Sequence, residues 1–600
     1  MKRIILIVNC TLLIVHCAFS QDTTLNRNVT VEREFQPIVQ SAGKINVRPK
    51  VQETTLPAAE VVYSDYNAAL SPAFNTNSLL SQPMRFTTPH QYNGYVRGGL
   101  GHTNTLFDFG YRLDDQKNSI LDVYANHRAE WGRRANSNTR IGFDFRHTFS
   151  TCDLYFGFRG ANRFYTRYGR YYDGDKGLTA AHYRDLQPED KQNIWTVDAF
   201  AGVKSNNKSD IQYQAQAGYT LFALPGYVSE HQVRTTANID WSSDAHHVGG
   251  RVYVQNSFLQ TDQVADTLFN SRHALRIEPY YAYLGRRFSI HAGVNFDINI
   301  GRGQFLSNLD QVTFAPSPKV EFEAQIAKKW LTMYGIAQGS LSTGTLQAYM
   351  ASMPYRAIDP GITSHHVGGY TPIDAQLGFR IRPYRDLLVD IYGGYAYQKN
   401  KITTVATVKQ ITTPAGATVL PGTFTYFYGD YGRGKIGAAF SYHYQDIITI
   451  HLWGNYYFWQ TFRQENIENG YFTKPGYSVP VRVDGVYDRA AWDMGLRIDA
   501  RIDKHWSLYS DNRFSGSRTA LVSMPDANGS YERTLKPTIQ LSLGCQYETV
   551  VGSKSFREKT TQPNLVVFFQ LNNYIHRHND IWYGYQSEGI NFLMGVTYKF

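Results

Sequence analysis

The chain has 600 residues, a formal net charge of +10 and 18% charged residues, while Tyr, Phe and Trp together make up 14% of it. A disordered chain lacks so many aromatic residues, and a helical membrane protein needs apolar runs of about 18 residues or more, which do not occur after the extreme N-terminus. The positive charge is modest and unclustered, unlike that of nucleic-acid-binding proteins. The composition therefore predicts a large β-protein that binds no nucleic acid.

The N-terminus has the pattern of a secretory signal peptide. Lys2 and Arg3 precede an apolar stretch, and Ala18-Phe19-Ser20 supplies small residues at the spacing of a cleavage site. We expect residues 1–20 to be removed. Residues 21–90 are rich in proline and show little alternation, which predicts a short, extended periplasmic segment that could also act as a partial stopper. Residues 91–600 form the predicted barrel.

The alternation of apolar and polar residues that is typical of β-strands begins near Tyr92. Residues 288–300 place apolar side chains at every even position and polar or small ones at every odd position. This period of two puts one set on each face of a strand, and roughly 13 residues match a tilted membrane span. The pattern recurs at 140–149, 373–382, 492–501 and 539–548. We therefore predict an all-β fold, a transmembrane antiparallel barrel of roughly 22 strands (about 18 to 22), with apolar residues facing lipid.

Connections alternate between short and long. The short polar turns are predicted at 114–118, 205–208, 285–287, 327–329, 382–385 and 499–503. The long connections are predicted near 160–190, 259–271, 301–318, 341–371, 400–422, 460–488 and 515–534, and we assign the stretch near 549–563 to the short-turn side. Short periplasmic turns and long external loops are typical of outer-membrane barrels.

The polar faces of the predicted strands carry both signs of charge. The candidate lumen-lining residues are Arg140, Asp144, Arg146, Asp297, Glu321, Glu323, Arg380, Asp390, Arg497 and Asp499. A mixed lining argues against a strong ion filter, which would show a ring of one sign. It fits either a water-filled channel or a lumen filled by loops and salt bridges.

A loop predicted at about 159–191 combines arginine with tyrosine. Its candidate ligand or pore contacts are Arg159, Arg163, Arg167 and Arg170. Arginine and tyrosine together can bind anionic or sugar-like ligands, and a loop folded inward would narrow the pore. The alternative is an interfacial aromatic girdle whose arginines reach the lipid headgroups.

The last strand alternates to the final residue. Its apolar members include Phe592, Met594, Val596, Tyr598 and Phe600. A terminal aromatic residue on such a strand resembles the C-terminal signal by which the barrel-assembly machinery recognises outer-membrane barrels.

The segment VEREFQPIVQSAGKINVRPKV, Val31 to Val51, resembles the start of Bacteroidota outer-membrane proteins of the TonB-dependent-receptor-like superfamily. This resemblance implies a transporter-type barrel in the outer membrane and TonB, or other outer-membrane or periplasmic proteins, as partners. Members of the superfamily carry a plug domain and a TonB box before the barrel. The residues before Tyr92 are too few for a full plug, so the chain departs from the family there.

No catalytic, cofactor or metal site is predicted. Gly432, Gly434 and Gly437 spell G-x-G-x-x-G, but the residues that follow continue as a strand, which favours glycine on a barrel wall over a nucleotide site. The serine-hydrolase motif G-x-S-x-G is absent. The predicted function is passage of solutes across the outer membrane, porin-like or receptor-like. The alternatives are a non-conducting accessory subunit of an outer-membrane complex and an outer-membrane hydrolase.

Overall fold

The computed structural model describes residues 92–600, apart from 115–117, 133, 167, 169–190, 207–209, 227, 262–271, 302–313, 328–329, 353–354, 356–368, 414–415, 446, 465–485, 525–528 and 553–562. The predicted signal peptide at 1–20 and the predicted periplasmic segment at 21–90 lie outside the described residues. Among the residues that are described, no helix is long and apolar enough to cross a membrane.

Regular structure in the described residues is almost entirely β-strand. In chain order the strands are β1 (Gly94–Gly101), β2 (Asn104–Asp114), β3 (Ser119–Glu130), β4 (Asn136–Thr148), β5 (Cys152–Thr166), β6 (Lys191–Ser205), β7 (Ile211–Leu224), β8 (Val228–Ser243), β9 (His246–Thr261), β10 (Arg272–Leu284), β11 (Phe288–Gly301), β12 (Phe314–Ala327), β13 (Leu331–Leu341), β14 (Tyr370–Tyr384), β15 (Leu387–Thr413), β16 (Gly416–Tyr444), β17 (Ile448–Gln464), β18 (Trp492–Arg501), β19 (Trp506–Ser515), β20 (Arg518–Met524), β21 (Gly529–Leu535), β22 (Thr538–Thr549), β23 (Leu565–Asn572), β24 (Asp580–Trp582), β25 (Tyr585–Gln586) and β26 (Asn591–Lys599). A short helix, α1 (Leu346–Ser352), lies between β13 and β14.

The sheet closes into a barrel of 22 antiparallel strands. Each strand from β1 to β19 pairs with the next, β19 then pairs with β22, β22 with β23, β23 with β26, and β26 returns to β1. Strands β20 and β21 form a hairpin outside this ring, and β24 and β25 form a separate ribbon. Closure leaves the ring without a free sheet edge, which confirms the predicted all-β barrel and its strand number.

Side-chain alternation sorts the residues of each strand between the two faces of the wall. In β11, Ile300 is 65% exposed, whereas Asn295 and Asp297 are 4% and 5% exposed. Phe288 and Val294, which share the face of Ile300, are exposed as well. The apolar residues therefore form the outer surface, and the polar residues face the interior, as the period of two requires.

The two rims of the barrel differ in the length of their connections. One, the short-turn rim, carries the turns from β2–β3 to β18–β19 at every second strand, the β22–β23 connection, and both Gly94 and Phe600. The opposite rim, the long-connection rim, carries the connections β5–β6, β9–β10, β11–β12, β13–β14, β17–β18, β19–β22 and β23–β26. The structure thus places the strand ends that flank the predicted short turns on one side, together with the described ends of the stretch near 549–563.

The predicted long connection at 400–422 is wrong. Strands β15 and β16 instead continue as one long hairpin through this region. Residues 402–408 are rich in Thr and Val, which favour strand. The extension also gains a parallel neighbour, because Val405 pairs with Leu521 of β20.

The glycine motif at 432–437 lies within β16, as expected of glycine on a barrel wall. Gly437 sits opposite Tyr392 of β15, and the tyrosine ring occupies the space that a Cβ at position 437 would need. Glycine is required there because the aromatic ring lies flat over the neighbouring strand.

Candidate functional site

Several of the predicted lumen residues form ion pairs on the inner wall. The pairs, with their N–O distances, are Asp144–Arg159 (3.2 Å), Asp297–Arg276 (2.6 Å), Glu321–Lys319 (3.1 Å), Glu323–Arg380 (3.2 Å) and Arg497–Asp499 (2.8 Å). Asp390 accepts a hydrogen bond from the Tyr334 hydroxyl at 3.0 Å. Arg140 and Arg146 are exposed on β4. Both signs of charge occur side by side, so the wall described here has no long stretch of one sign.

The predicted arginine loop is partly strand. Arg159 and Arg163 lie on β5, because pairing with β4 and β6 continues to Thr166. Arg159 binds Asp144 and lies over the Phe200 ring at 4.9 Å, so it is a wall residue rather than a loop residue. Arg167 and Arg170 lie outside the described residues.

One connection of the long-connection rim folds into the barrel. We name residues 341–352, which begin at the last residue of β13 and include α1, the latch segment. The Leu341 amide donates to Asp297 Oδ2 at 3.1 Å, and Arg272 Nη1 donates to the carbonyl oxygens of Thr343 (3.4 Å) and Gly344 (3.1 Å). The latch segment is therefore held against the inner faces of β10 and β11.

Glu230 fixes the start of α1. Its carboxylate accepts hydrogen bonds from the amides of Leu346 and Gln347, both at 3.0 Å, and from Ser257 Oγ at 2.6 Å. The side chain of Gln232 donates to the same carboxylate at 2.8 Å. A carboxylate at the first turn of a helix satisfies free amides that the helix itself leaves unpaired. Glu230 is buried, so these bonds replace the water it has lost.

Aromatic and aliphatic side chains form a buried cluster at the long-connection rim. We name it the aromatic cap, and its members are Tyr165, Tyr168, Ile194, Phe222, Leu224, Val228, Leu346, Met350, Tyr355, Ala406, Phe424, Ala520, Val522, Leu535, Ile581, Trp582, Tyr583 and Tyr585. The β5–β8 ends of the wall, the latch segment, the β15–β16 extension, the β20–β21 hairpin and the β24–β25 ribbon all contribute to it. Five separate parts of the chain therefore meet in one apolar core.

Tyr585 stands at the centre of the aromatic cap and is 0% exposed. Its ring stacks on Tyr355 with centroids 4.0 Å apart, meets Tyr168 edge-on at 4.9 Å and lies 5.6 Å from Phe424. These neighbours come from the β13–β14 connection, the β5–β6 connection and β16. A single ring thus joins the ribbon to three other connections.

The cap reaches across the barrel. Strands β5–β8 and β15–β16 lie on nearly opposite sides of the ring, and a ring of 22 tilted strands is roughly 40 Å wide. Wall residues such as Ile194 belong to the same cluster as Phe424 of β16. The folded connections between them therefore extend across the lumen at this rim.

Two buried residues, Arg518 and Asp488, tie three connections together. Arg518 of β20 donates to the carbonyl oxygens of Ile581, at 2.9 Å, and Asp580. Asp488, which precedes β18, lies near Arg518, and its amide donates to the Thr519 carbonyl at 2.8 Å. Burial raises the pKa of Asp488 to about 7, against the opposing effect of Arg518. Its Oδ1 atom has no hydrogen-bond partner among the described residues.

The predicted insertion residues lie on the outer face of β26. Phe592, Met594, Val596, Tyr598 and Phe600 are all exposed there. The amide and carbonyl of Phe600 exchange hydrogen bonds with Gly94 at 2.9 and 2.8 Å, which joins the last residue to the first strand. The role of these residues in insertion stays a prediction.

The described residues contain no group of three or more His, Cys, Asp or Glu side chains that could hold a metal ion. His246 contacts the Tyr281 hydroxyl at 2.8 Å, and His247 contacts Asp240 at 3.3 Å. These contacts account for the histidine pair as wall and turn residues.

Sequence reasoning missed the residues that build the cap. Asp580 to Gln586 reads DIWYGYQ, an aromatic run inside a connection, and this run was the available signal. Glu230 gave no such signal, because the helix amides that it binds lie more than a hundred residues away along the chain.

No protein-family profile and no curated protein matches the sequence. Solved structures do match the fold. The FrpB iron transporter from Neisseria meningitidis has a TM-score of 0.61 at 8% identity, with 85% of this chain and 81% of that chain covered. The ferric-catecholate import receptor Fiu from E. coli has a TM-score of 0.58 at 9% identity, covering 85% and 82%. A mutant of the ferric enterobactin receptor PfeA from Pseudomonas aeruginosa has a TM-score of 0.56 at 11% identity, covering 85% and 80%. At these identities the likeness shows the fold.

Proposed function

We propose that this chain is an outer-membrane barrel of a Gram-negative bacterium that mediates the passage of solutes, with a lumen closed at rest by the aromatic cap. One observation carries the proposal: folded connections extend across the long-connection rim of a closed barrel that has a charged inner wall. An open general pore needs no such apolar cover. A receptor-like transporter does, since it must admit a chosen solute and exclude others.

The wall beneath the cap is suited to a wet passage. Its ion pairs, such as Glu323–Arg380, are partly exposed and combine both charges, so water and polar solutes find hydrogen-bond partners along it. The predicted lumen residues are the ones we assign to this lining. We expect weak ion selectivity once the cap opens, because no single sign dominates.

The solved structures with this fold point to the first cargo to test. Their names describe an iron transporter and receptors for ferric catecholate and ferric enterobactin. We propose a solute of this size class, such as a ferric siderophore, as cargo, and TonB as the partner that supplies the energy for opening.

Single-channel recording of the full-length protein in a planar bilayer tests the proposal. We expect long silent periods and rare open steps for the parent chain, and frequent open steps when the cap is broken. Silence in both proteins at all voltages would contradict passage. Uptake of a radiolabelled ferric siderophore by cells with and without TonB then separates energised from passive entry.

A second candidate is a non-conducting accessory subunit, and the depth of burial in the cap favours it. In that case the connections of the long-connection rim would bind partner proteins and the barrel would serve as an anchor. Capture of stable partners from native membranes, together with silence of a cap-broken variant, is the outcome that would select this candidate.

A further inference from the structure

One sector of the short-turn rim carries an unusual concentration of arginine. Arg286 and Arg287 form the β10–β11 turn, Arg382 lies near the end of β14 and Arg385 lies in the β14–β15 turn, and all four are exposed. No carboxylate lies within ion-pair distance of these four guanidinium groups in the described part of the chain. We name this set the arginine sector.

On other described turns of the same rim, carboxylates accompany the cations or occur without them. Arg112 pairs with Asp122 at 2.6 Å at the β2–β3 end. The β8–β9 turn carries Asp244 and no cation, and the β18–β19 turn mixes Asp503 with Lys504. The two turns of the arginine sector combine four arginines with one carboxylate, Asp386, and so carry a net positive charge.

Backbone hydrogen bonds hold the turns of this sector side by side. Gln325 N donates to the Arg287 carbonyl at 2.7 Å, and Arg382 N donates to the Trp330 carbonyl at 2.7 Å. The β12–β13 turn thus lies between the two arginine-bearing turns. The four arginines therefore lie in one part of the rim, two on each side of the β12–β13 turn.

The outer surface beside this patch is apolar and aromatic. Phe288, Trp330 and Tyr384 are exposed there, Tyr384 by 75%. Aromatic residues at a barrel rim lie at the depth of lipid headgroups, and a guanidinium group binds a phosphate through two parallel hydrogen bonds. A phospholipid carries an acyl chain next to its phosphate, so it matches an apolar outer surface that borders directly on cations. A protein partner would not require this arrangement.

From this geometry we propose that the arginine sector binds anionic phospholipid headgroups at the short-turn rim. The inference rests on the proposed membrane insertion but not on solute passage. Each cation near an anionic surface contributes about a fivefold preference, so four together select anionic lipid locally.

Native mass spectrometry of the full-length protein from nanodiscs of mixed phosphatidylglycerol and phosphatidylcholine tests this. We expect retained lipid to be enriched in phosphatidylglycerol, and the variant R286Q/R287Q/R382Q/R385Q to lose roughly tenfold or more of that enrichment. The control R112Q/K204Q/R501Q/K504Q removes the same charge from other sectors of the same rim and should keep it.

Equal enrichment in the arginine-sector variant and the parent overturns the proposal. Equal loss in both variants also overturns it, because net charge alone would then explain the binding. Heat-modifiable migration on gels shows that each variant retains a folded barrel. If the protein conducts nothing but retains phosphatidylglycerol, the proposed function is contradicted and this inference is supported.

Discussion

The two rims of the barrel are stabilised by different kinds of contact. At the short-turn rim, neighbouring strands meet through a few residues, and partners lie close in sequence, as Gly285 and Phe288 do across the β10–β11 turn. At the long-connection rim, the decisive contacts join distant residues: the Tyr168 hydroxyl donates to the Gln586 carbonyl, 418 positions away. The first rim follows from local alternation and turn chemistry, whereas the second depends on which connections find each other after the barrel has closed.

If this contrast is right, substitutions in the cap should open the barrel and comparable substitutions at the short-turn rim should not.

Tyr585→Ala should have the largest effect. The substitution removes a fully buried ring from the contact between four connections, which costs roughly 3–5 kcal/mol in a packed core. We expect single-channel recordings to change from rare openings to a persistently open state. Tyr585→Phe keeps the ring and should remain close to the parent.

Phe258→Ala is the matched control for loss of an aromatic ring. Phe258 is exposed on the outer face of β9, the opposite face from its neighbour Leu259, which packs against the cap. We expect the conductance of the Phe258→Ala variant to match that of the parent. Indistinguishable traces for Tyr585→Ala and the parent would mean that the cap does not close the passage.

Glu230→Ala should release the latch segment without breaking the aromatic contacts around Tyr585 directly. The amides of Leu346 and Gln347 and the Ser257 hydroxyl would lose a shared acceptor in a buried site, which costs roughly 2–5 kcal/mol. We expect hydrogen–deuterium exchange of the peptide covering 341–352 to accelerate by an order of magnitude or more.

Glu321→Ala removes a carboxylate of the same wall that is half exposed and paired with Lys319. Exposed ion pairs contribute little, so exchange in 341–352 should stay unchanged in this variant. Equal acceleration in both variants, or in neither, would refute the role assigned to Glu230.

The cap should also respond to pH through Asp488. Burial raises its folded pKa to about 7, above the ordinary value near 4 of an unfolded aspartate. Below about pH 4 the carboxyl is protonated in both states and imposes no penalty. As pH rises from about 4 to 7, the unfolded form ionises first, so local stability falls across that window and stays low above it.

Amide exchange at Asp488 and Thr519 should therefore be faster at pH 8 than at pH 5, after correction for the intrinsic rate. Asp488→Asn cannot ionise and should flatten this dependence. A parent protein whose corrected exchange does not change with pH would contradict the assignment.

The barrel wall was predictable from sequence because its signal is local. Residues 288–300 alternate strictly, and β11 occupies that stretch. The strand number followed from counting such stretches, since each must pair to satisfy its backbone. Where the pattern weakened, at 400–422, the prediction of a loop was wrong, because tertiary pairing with β20 extended the hairpin.

The cap was not predictable in the same way. Tyr585 and Tyr355 are separated by more than two hundred residues, and neither lies in an alternating stretch whose period could mark it as buried. The arginines were misplaced for a related reason: residues such as Arg163 look like loop residues until the pairing of β5 with β6 is known. The sequence shows which wall residues carry positive or negative charge, but it does not show which of them form ion pairs.

Asp503→Ala should have the smallest effect, and it tests the short-turn rim in place of the cap. In the β18–β19 turn, Asp503 Oδ1 accepts hydrogen bonds from the amides of Trp506 and His505, both at 2.7 Å. These bonds lower the pKa of Asp503, so its contribution is present above the ordinary aspartate value and is lost as pH falls through the lowered one. We expect slightly faster exchange of the Trp506 amide at neutral pH, no difference from the parent in strong acid, and unchanged conductance. Asp503→Asn keeps the acceptor and should behave as the parent does.

If Asp503→Ala opened the channel as Tyr585→Ala is expected to, closure would depend on the whole barrel rather than on the cap, and the distinction between the rims would fail.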